Sequence, residues 1–302
     1  MRHSFYYTMR YLISIFILAL LVGCSGRNTK PSVESSNTTE KISPAELLKQ
    51  RIDHYWDNFD FEAGEHVREL RREDMIYALS EYVSIIPAES ADSLMRTLIR
   101  RASTSHDMLD YFATLCEIVL HNPNSPLRND EYYIPVLEEL VTSPLLDEYE
   151  RIVPAYDLEI ALKNRIGRAA TDFEYTLEDG STGRLYDIKA NYTILMFSNP
   201  ECPLCGEIMQ QIASSQLLSA LLEHGVLKIL TIYPDEDIAH WYKYLDNIPS
   251  QWIKGYDNGL LSKERLYNLS AIPALYLLDR DKHVLIKDGT SVADIENLLM
   301  RI

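Results

Sequence analysis

Cysteine and positive charge are both scarce in this chain. Of 302 residues only 4 are cysteine, too few for a disulfide-rich scaffold. Lys and Arg number 29 against 45 Asp and Glu, leaving a net charge of −16. A surface so acidic is repelled by phosphate backbones and anionic headgroups, and no basic stripe with interleaved aromatics offsets it. Nucleic acid is therefore not an expected partner. Long apolar runs are missing after Gly23, so no later segment is expected to span a bilayer. No internal repeat is visible.

What is present begins with Arg2 and Arg10, followed by "YLISIFILALLVG", an apolar run of about a dozen residues. It is too short for a transmembrane helix and suits a signal segment. The run closes on "LVGC", which resembles a bacterial lipobox. That resemblance implies a signal peptide over residues 1–23, with Cys24 as the first mature residue and the carrier of the lipid. An ordinary signal peptide with a chance cysteine and an uncleaved anchor are the alternatives. Loss of residues 1–23 removes two arginines and no acid, moving the net charge from −16 to −18. Residues 24–42 are polar, lack apolar periodicity and read as a flexible tether. Its reach of roughly 23 Å would hold the folded part near a membrane without entering it. Ser25 rather than Asp follows Cys24, which favours the outer membrane, and no acidic run follows to favour export. The expected location is the cell envelope, on the periplasmic face of the outer or inner membrane.

Two halves follow. Residues 43–165 carry helical patterning, opened by "SPAELL" with Ser43 as N-cap, Pro44 in the first turn and Glu46 completing a capping box. Met75, Leu79, Val83 and Ile86 share one helix face, and Met108, Phe112, Leu115, Cys116 and Val119 share another. Breaks at "IIPAES", "LHNPNSPLRND" and "TSPLLDEYERIVP" imply five or six helices. Cys116 sits among core positions and reads as an inert buried thiol. The aromatics of "DHYWDNFDF" read as core, with a ligand groove as the alternative. Residues 166–302 change texture. "TDFEYTLEDGSTGRLYDI" reads as two strands around Asp179-Gly180, and "YTILMFS" and "LKILTIYP" as strands buried on both faces. Helices are expected from Pro200 to Glu223, over "DEDIAHWYKYLD" and over "SKERLYNL". A hairpin over "PALYLLDRDKHVLIKD" and a last helix capped by Ser291 complete the pattern. The expected fold is an all-α helical domain followed by an α/β domain with a mixed central sheet.

The stretch "SNPECPLCGEIM" places Cys202 and Cys205 where a buried strand gives way to a helix. A helix N-terminus offers unpaired N–H groups and positive potential, which favour a thiolate. Cys202 is the expected exposed nucleophile, and Cys205, one turn further in, the resolving thiol. Pro203 suits a first helical turn, where a missing N–H costs little. Structural zinc would need four ligands, and His224, His240 and His283 are scattered without ligand spacing. Copper held by the pair and one distant histidine is as poorly supported, and no Thr and Arg arrangement for a peroxidatic thiolate is evident. No metal is expected.

Downstream, "LSAIPALYLLD" sets Ile272-Pro273 immediately before a strand. Strand–CxxC–helix followed by Pro-strand, hairpin and helix resembles the thioredoxin superfamily, and the extra strand and helix between Cys205 and Pro273 resemble its TlpA-type branch. That resemblance implies a cis-proline loop at Pro273 against the two cysteines. Together with "YWDNFDF", "NPNSPLRNDEYYIPVLEEL", "LEIALKNRIG" and "YPDEDIAHW", the chain is similar to Bacteroidota lipoproteins that carry a helical DUF5106 domain ahead of a thioredoxin-like domain. Glu201, Pro203, Leu204 and Ile272 are the neighbours placed to tune the pair. Three positions depart from the resemblance. Glu201 replaces a common Trp, and its carboxylate opposes the helix dipole. Met196 replaces a buried Asp of thioredoxin. Ile208 stands where TlpA-type reductants carry Glu, while Glu207 lies roughly 200° round the helix from Cys205. The implied activity is thiol–disulfide exchange with protein clients, supplied by an envelope thiol donor and using no cofactor beyond the Cys202–Cys205 disulfide. A noncatalytic binding lipoprotein whose Cys202–Cys205 disulfide is only a staple is the competing reading.

The anchor is directly testable. Cys24→Ala should release the protein from the membrane fraction or leave its signal uncleaved. Unchanged membrane retention of a cleaved Cys24→Ala protein would refute the lipoprotein assignment.

Overall fold

The computed structural model describes residues 43–289 and 291–302, so the signal segment 1–23, Cys24 and the rest of the tether 24–42 lie outside the described residues. In the first half, apolar spacing of three and four residues yields helices α1 (Pro44–Asp53), α2 (Arg72–Ile85) and α3 (Ala91–Ala102). They are followed by α4 (His106–Cys116), α5 (Asp130–Thr142) and α6 (Ile152–Ala161). Ser105 opens α4 by accepting the Met108 N–H at 3.2 Å. Met95, Leu98, Ile99 and Ala102 form one buried stripe of α3 against Met108, Leu109, Phe112 and Leu115 of α4. After Cys116 the helix widens into a π-turn, Glu117–His121, closed by the Asn122 N–H on the Glu117 carbonyl at 2.9 Å. Trp56 and Phe59 meet Phe112 edge-on at 5.6 and 5.3 Å, so these early aromatics pack into the helical core. Cys116 is fully buried and its thiol is pushed up to about 12 by that burial.

The second half is a seven-stranded mixed sheet flanked by helices. β1 (Glu174–Leu177) and β2 (Thr182–Arg184) form a hairpin that turns at Gly180, whose φ of +84° suits glycine. β3 (Tyr192–Phe197) is central, parallel to β4 (Leu227–Tyr233) on one side. On its other side runs β6 (Ala274–Leu278), antiparallel, which pairs onward with β7 (Val284–Gly289). Between β1 and β4 lies β5 (Ile253–Tyr256), giving the order β2-β1-β5-β4-β3-β6-β7. Ile194 and Met196 face one core, and Leu195 and Phe197 the other.

Three elements differ from expectation. β5 carries no sequence signal beyond "IKGY". Its Gly255 is required because a Cβ there would lie 2.4 Å from Ile232 Cδ1 and 2.9 Å from Tyr175 Cδ2. The single helix expected from Pro200 to Glu223 is two, α7 (Pro203–Ser214) and α8 (Gln216–Glu223). Ser215 between them is extended at ψ 121°, and its hydroxyl accepts the Leu218 N–H at 3.1 Å, so it caps α8 instead of prolonging α7. After α9 (Ile238–Tyr244), the helix expected over "SKERLYNL" shrinks to α10 (Leu260–Lys263). The Arg265 and Leu266 carbonyls accept instead from Lys163 Nζ at 2.9 Å and Asn164 Nδ2 at 2.7 Å. Tertiary donors thus occupy acceptors a longer helix would need. A final helix, α11 (Val292–Leu299), is capped by Ser291.

The halves join within one compact unit, Pro44–Ile302, and charged side chains of β7 seat the junction. Lys287 Nζ lies 2.6 Å from Asp130 Oδ2, with both side chains 8% exposed, and donates to the Ala161 and Lys163 carbonyls at 3.0 and 2.8 Å. Arg128 reaches Asp288 Oδ2 at 3.3 Å, while the Tyr276 hydroxyl donates to its other oxygen. Burial pushes the Asp288 carboxyl up, and Arg128 and Lys287 oppose that rise. Removing one partner of such a pair strands a buried charge. Lys287→Met should therefore cost about 3–5 kcal/mol in chemical denaturation, and Lys287→Met with Asp130→Leu should recover part of it. A loss below about 1 kcal/mol, or equal losses from single and double changes, would refute a coupled buried pair.

Candidate active site

β3 ends beneath a short turn that aims the chain into α7. Ser198 Oγ and Thr231 Oγ1 pair at 2.9 Å in the buried end of the sheet. Asn199 then accepts twice, from the Glu201 N–H on its side chain at 3.0 Å and from the Cys202 N–H on its carbonyl at 3.1 Å. Cys202 emerges as the N-cap of α7, with Pro203 in the first turn. Its Sγ accepts the Cys205 N–H at 3.2 Å, the bond an N-cap oxygen ordinarily makes. The same Sγ lies 3.5 Å from the Ile272 carbonyl, and the Ile272-Pro273 bond is cis. Register explains the meeting, because β3–β6 pairing sets Phe197 opposite Ala274 and so brings the flanking segments to one sheet edge.

Cys205 is fully buried beside Ile208, Met209 and Ile212, with Met196 in the same cluster. Burial pushes its thiol up to about 12, the bond to Cys202 and its charge add to this, and the Asn199 backbone N–H opposes it. Both cysteines are free thiols in this structure.

Among solved structures the chain is similar to a thioredoxin-like protein from Bacteroides caccae. Identity is 36% and the TM-score 0.82, over 92% of this chain and 99% of that one. The chain belongs to the thioredoxin-like proteins. The family described as a domain of unknown function, DUF5106, matches residues 35–164. The C-terminal domain of an uncharacterized protein from Bacteroides fragilis is 39% identical, with a TM-score of 0.44, over 45% of this chain and 98% of that one. The thioredoxin domain of a thiol-disulfide oxidoreductase from Bacteroides vulgatus is 19% identical, with a TM-score of 0.40, over 45% and 96%. No curated protein matches.

Around the pair of this thioredoxin-like protein the remaining sequence-selected residues divide. Leu204 is exposed on the outer face of the first turn. Glu201 points into solvent with 82% of its side chain exposed, 3.8 Å from His240 Nε2. Glu207 is exposed and Ile208 buried, so no carboxylate from these two positions stands behind Cys205. Among the described residues no group of three or more His, Cys, Asp or Glu could hold a metal. Sequence reasoning missed a groove of about 500 Å³ beside Cys202, floored by Met209 and Ala213 of α7 and walled by Tyr244, Asn247 and Pro249. Burial raises the Tyr244 phenol, with Cys205 and Cys202 adding, and its hydroxyl lies 3.7 Å from Met209 Sδ. Its wall is the connection from α9 to β5, which no local pattern marks.

When Cys202 is held in a mixed disulfide its charge is gone, and burial remains the main influence on Cys205. Displacement of that bound thiol by Cys205 should therefore quicken about tenfold per pH unit through about pH 9. Stopped-flow release of thionitrobenzoate from Cys202 measures it. A plateau below about pH 8 would mean that the Cys205 thiol is not governed by burial.

Proposed function

We propose that this thioredoxin-like protein is a lipid-anchored thiol–disulfide oxidoreductase of the cell envelope that reduces or isomerises disulfides in client proteins. One observation carries the reading: a partly exposed sulfur at a helix start, N–H-bonded and 3.5 Å from the Ile272 carbonyl, backed by a buried second thiol. The Cys202 thiolate attacks one sulfur of a client disulfide, forming a Cys202–client bond and releasing the other client sulfur as thiolate. The Cys205 thiolate then attacks Cys202, forming the intramolecular disulfide and releasing the second client thiolate. The client gains two electrons and the pair loses them, so a dithiol donor at the membrane must reduce Cys202–Cys205 again. In isomerisation the second attack comes from another client thiol, and the pair ends reduced. No cofactor beyond the pair takes part. The lipid on Cys24 would keep the protein at the periplasmic face, and the helical half would position clients or the donor.

The two cysteines must then be unequal. Cys205→Ser should accumulate reducible, disulfide-linked client complexes from envelope extracts, seen on nonreducing gels, and Cys202→Ser should show almost none. A structural staple predicts equal loss of stability in both variants, no trapped clients and a reduction potential below about −300 mV, and that outcome would replace the oxidoreductase reading.

A further inference from the structure

A second cavity, of about 220 Å³ and partly open to solvent, lies where the π-turn and α6 of the helical half face the unwound segment after α10. His121, the last residue of the π-turn, and Asp157 of α6 line it, and Arg265 lines it from the sheet half. The imidazole stacks on Tyr133 at 5.1 Å and 25°. Its Nε2 stands 3.9 Å from Asp157 Oδ1, beyond hydrogen-bond reach, and its buried Nδ1 meets no partner among the described residues. The Asp157 side chain is only 14% exposed, and among the described residues it makes no hydrogen bond and that imidazole is the one cationic side chain within 4 Å of it. Polar groups at low exposure are rarely left without hydrogen bonds, and a carboxylate without one in the wall of a cavity marks a place for a polar ligand.

The charges say which kind. Burial raises the Asp157 carboxyl, His121 opposes this, and Glu117 and Asp130 add to it, so the inner end carries negative potential that rewards a cation. Arg265 brings the opposite charge. Its guanidinium lies over the Tyr156 ring at 4.6 Å and spends only Nη1 on Glu159, at 2.7 Å. Its backbone carbonyl is held by Lys163 Nζ at 2.9 Å, and its side chain is 45% exposed. Ser262 and Ser270 line the same wall, the Ser270 hydroxyl donating to Asn268 Oδ1 at 2.7 Å. At about 30 Å³ per water the cavity holds the volume of roughly seven waters, right for a free amino acid and too small for a peptide or a nucleotide.

We propose that this cavity binds a free amino acid or similarly small zwitterion, its ammonium on Asp157 and His121 and its carboxylate at Arg265. The binding is independent of the cysteine chemistry. Two residues beyond Ser270, the last residue of the cavity wall, the Ile272 carbonyl meets Cys202 Sγ.

Thermal unfolding of the full-length protein tests it, with L-serine, L-leucine and L-glutamate as probes and n-butylamine and butyrate as single-charge controls. At least one amino acid should raise the melting temperature by about 3–5 °C near tenfold its Kd, with butylamine giving less and butyrate nothing. Asp157→Asn should abolish the response, and Arg265→Gln should reduce it to the butylamine level. His121→Gln provides a second variant should Asp157→Asn unfold, and it too should weaken the amino-acid response. No shift above about 1 °C with any amino acid at about 10 mM would overturn the proposal. So would a response that survives both inner substitutions, an equal response to butylamine, or one to butyrate alone.

Discussion

Strand β3 is the constraint on which the site depends. It is buried on both faces, hydrogen-bonded to β4 on one side and β6 on the other, and its side chains feed two separate cores. Fixing its register against β6 brings residues 198–205 and 270–273 together, though some seventy positions separate the contacting Cys202 and Ile272. A one-residue slip would exchange the two cores and part the sulfur from the carbonyl at once. Burial, register and site geometry are therefore one requirement.

Much of this was legible because the signals were local. The continuous apolar runs of β3 and β4 follow from burial on two faces, and the turn at Asp179-Gly180 and the cap at Ser291 follow from side-chain chemistry at helix and strand ends. The proximity of Cys202, Cys205 and Pro273 was implied by the resemblance of their strand–CxxC–helix and Pro-strand order to the thioredoxin superfamily. What was not legible depends on distant residues. Ser215 caps α8 where continuation of α7 was equally compatible with its neighbours. Residues after Lys263 fail to form a helix because Lys163 and Asn164, about a hundred positions earlier, take the carbonyls. β5 is four residues with a lysine and a glycine, and only β1 and β4 on either side make it a strand. The groove beside Cys202 and the His121–Asp157 meeting have no sequence signal, since one is shaped by a connection and the other by a π-turn.

The helical half meets the sheet half through charge more than through apolar surface. Lys287 and Asp288, adjacent on β7, project to Asp130 and Arg128, which flank the start of α5. Lys287 also donates to two backbone carbonyls and Asp288 also accepts from Tyr276, the kind of added hydrogen bonding under which buried ions are tolerated. Such contacts are directional and admit few alternative orientations. The two halves are thereby held in one relation, although neither core extends into the other.

The N-cap of α7 is a sulfur, and this ties helix stability to redox state. In the reduced protein that sulfur can carry charge and accepts the Cys205 N–H; joined to a second sulfur it becomes a neutral, weaker acceptor. A cap is typically worth about 1 kcal/mol, and for a two-electron couple that free energy corresponds to about 20 mV. The first turn of α7 therefore acts as a spring on the electrons. Whatever strengthens the cap in the thiol form makes the pair readier to accept them, and whatever frays that turn makes it readier to give them up.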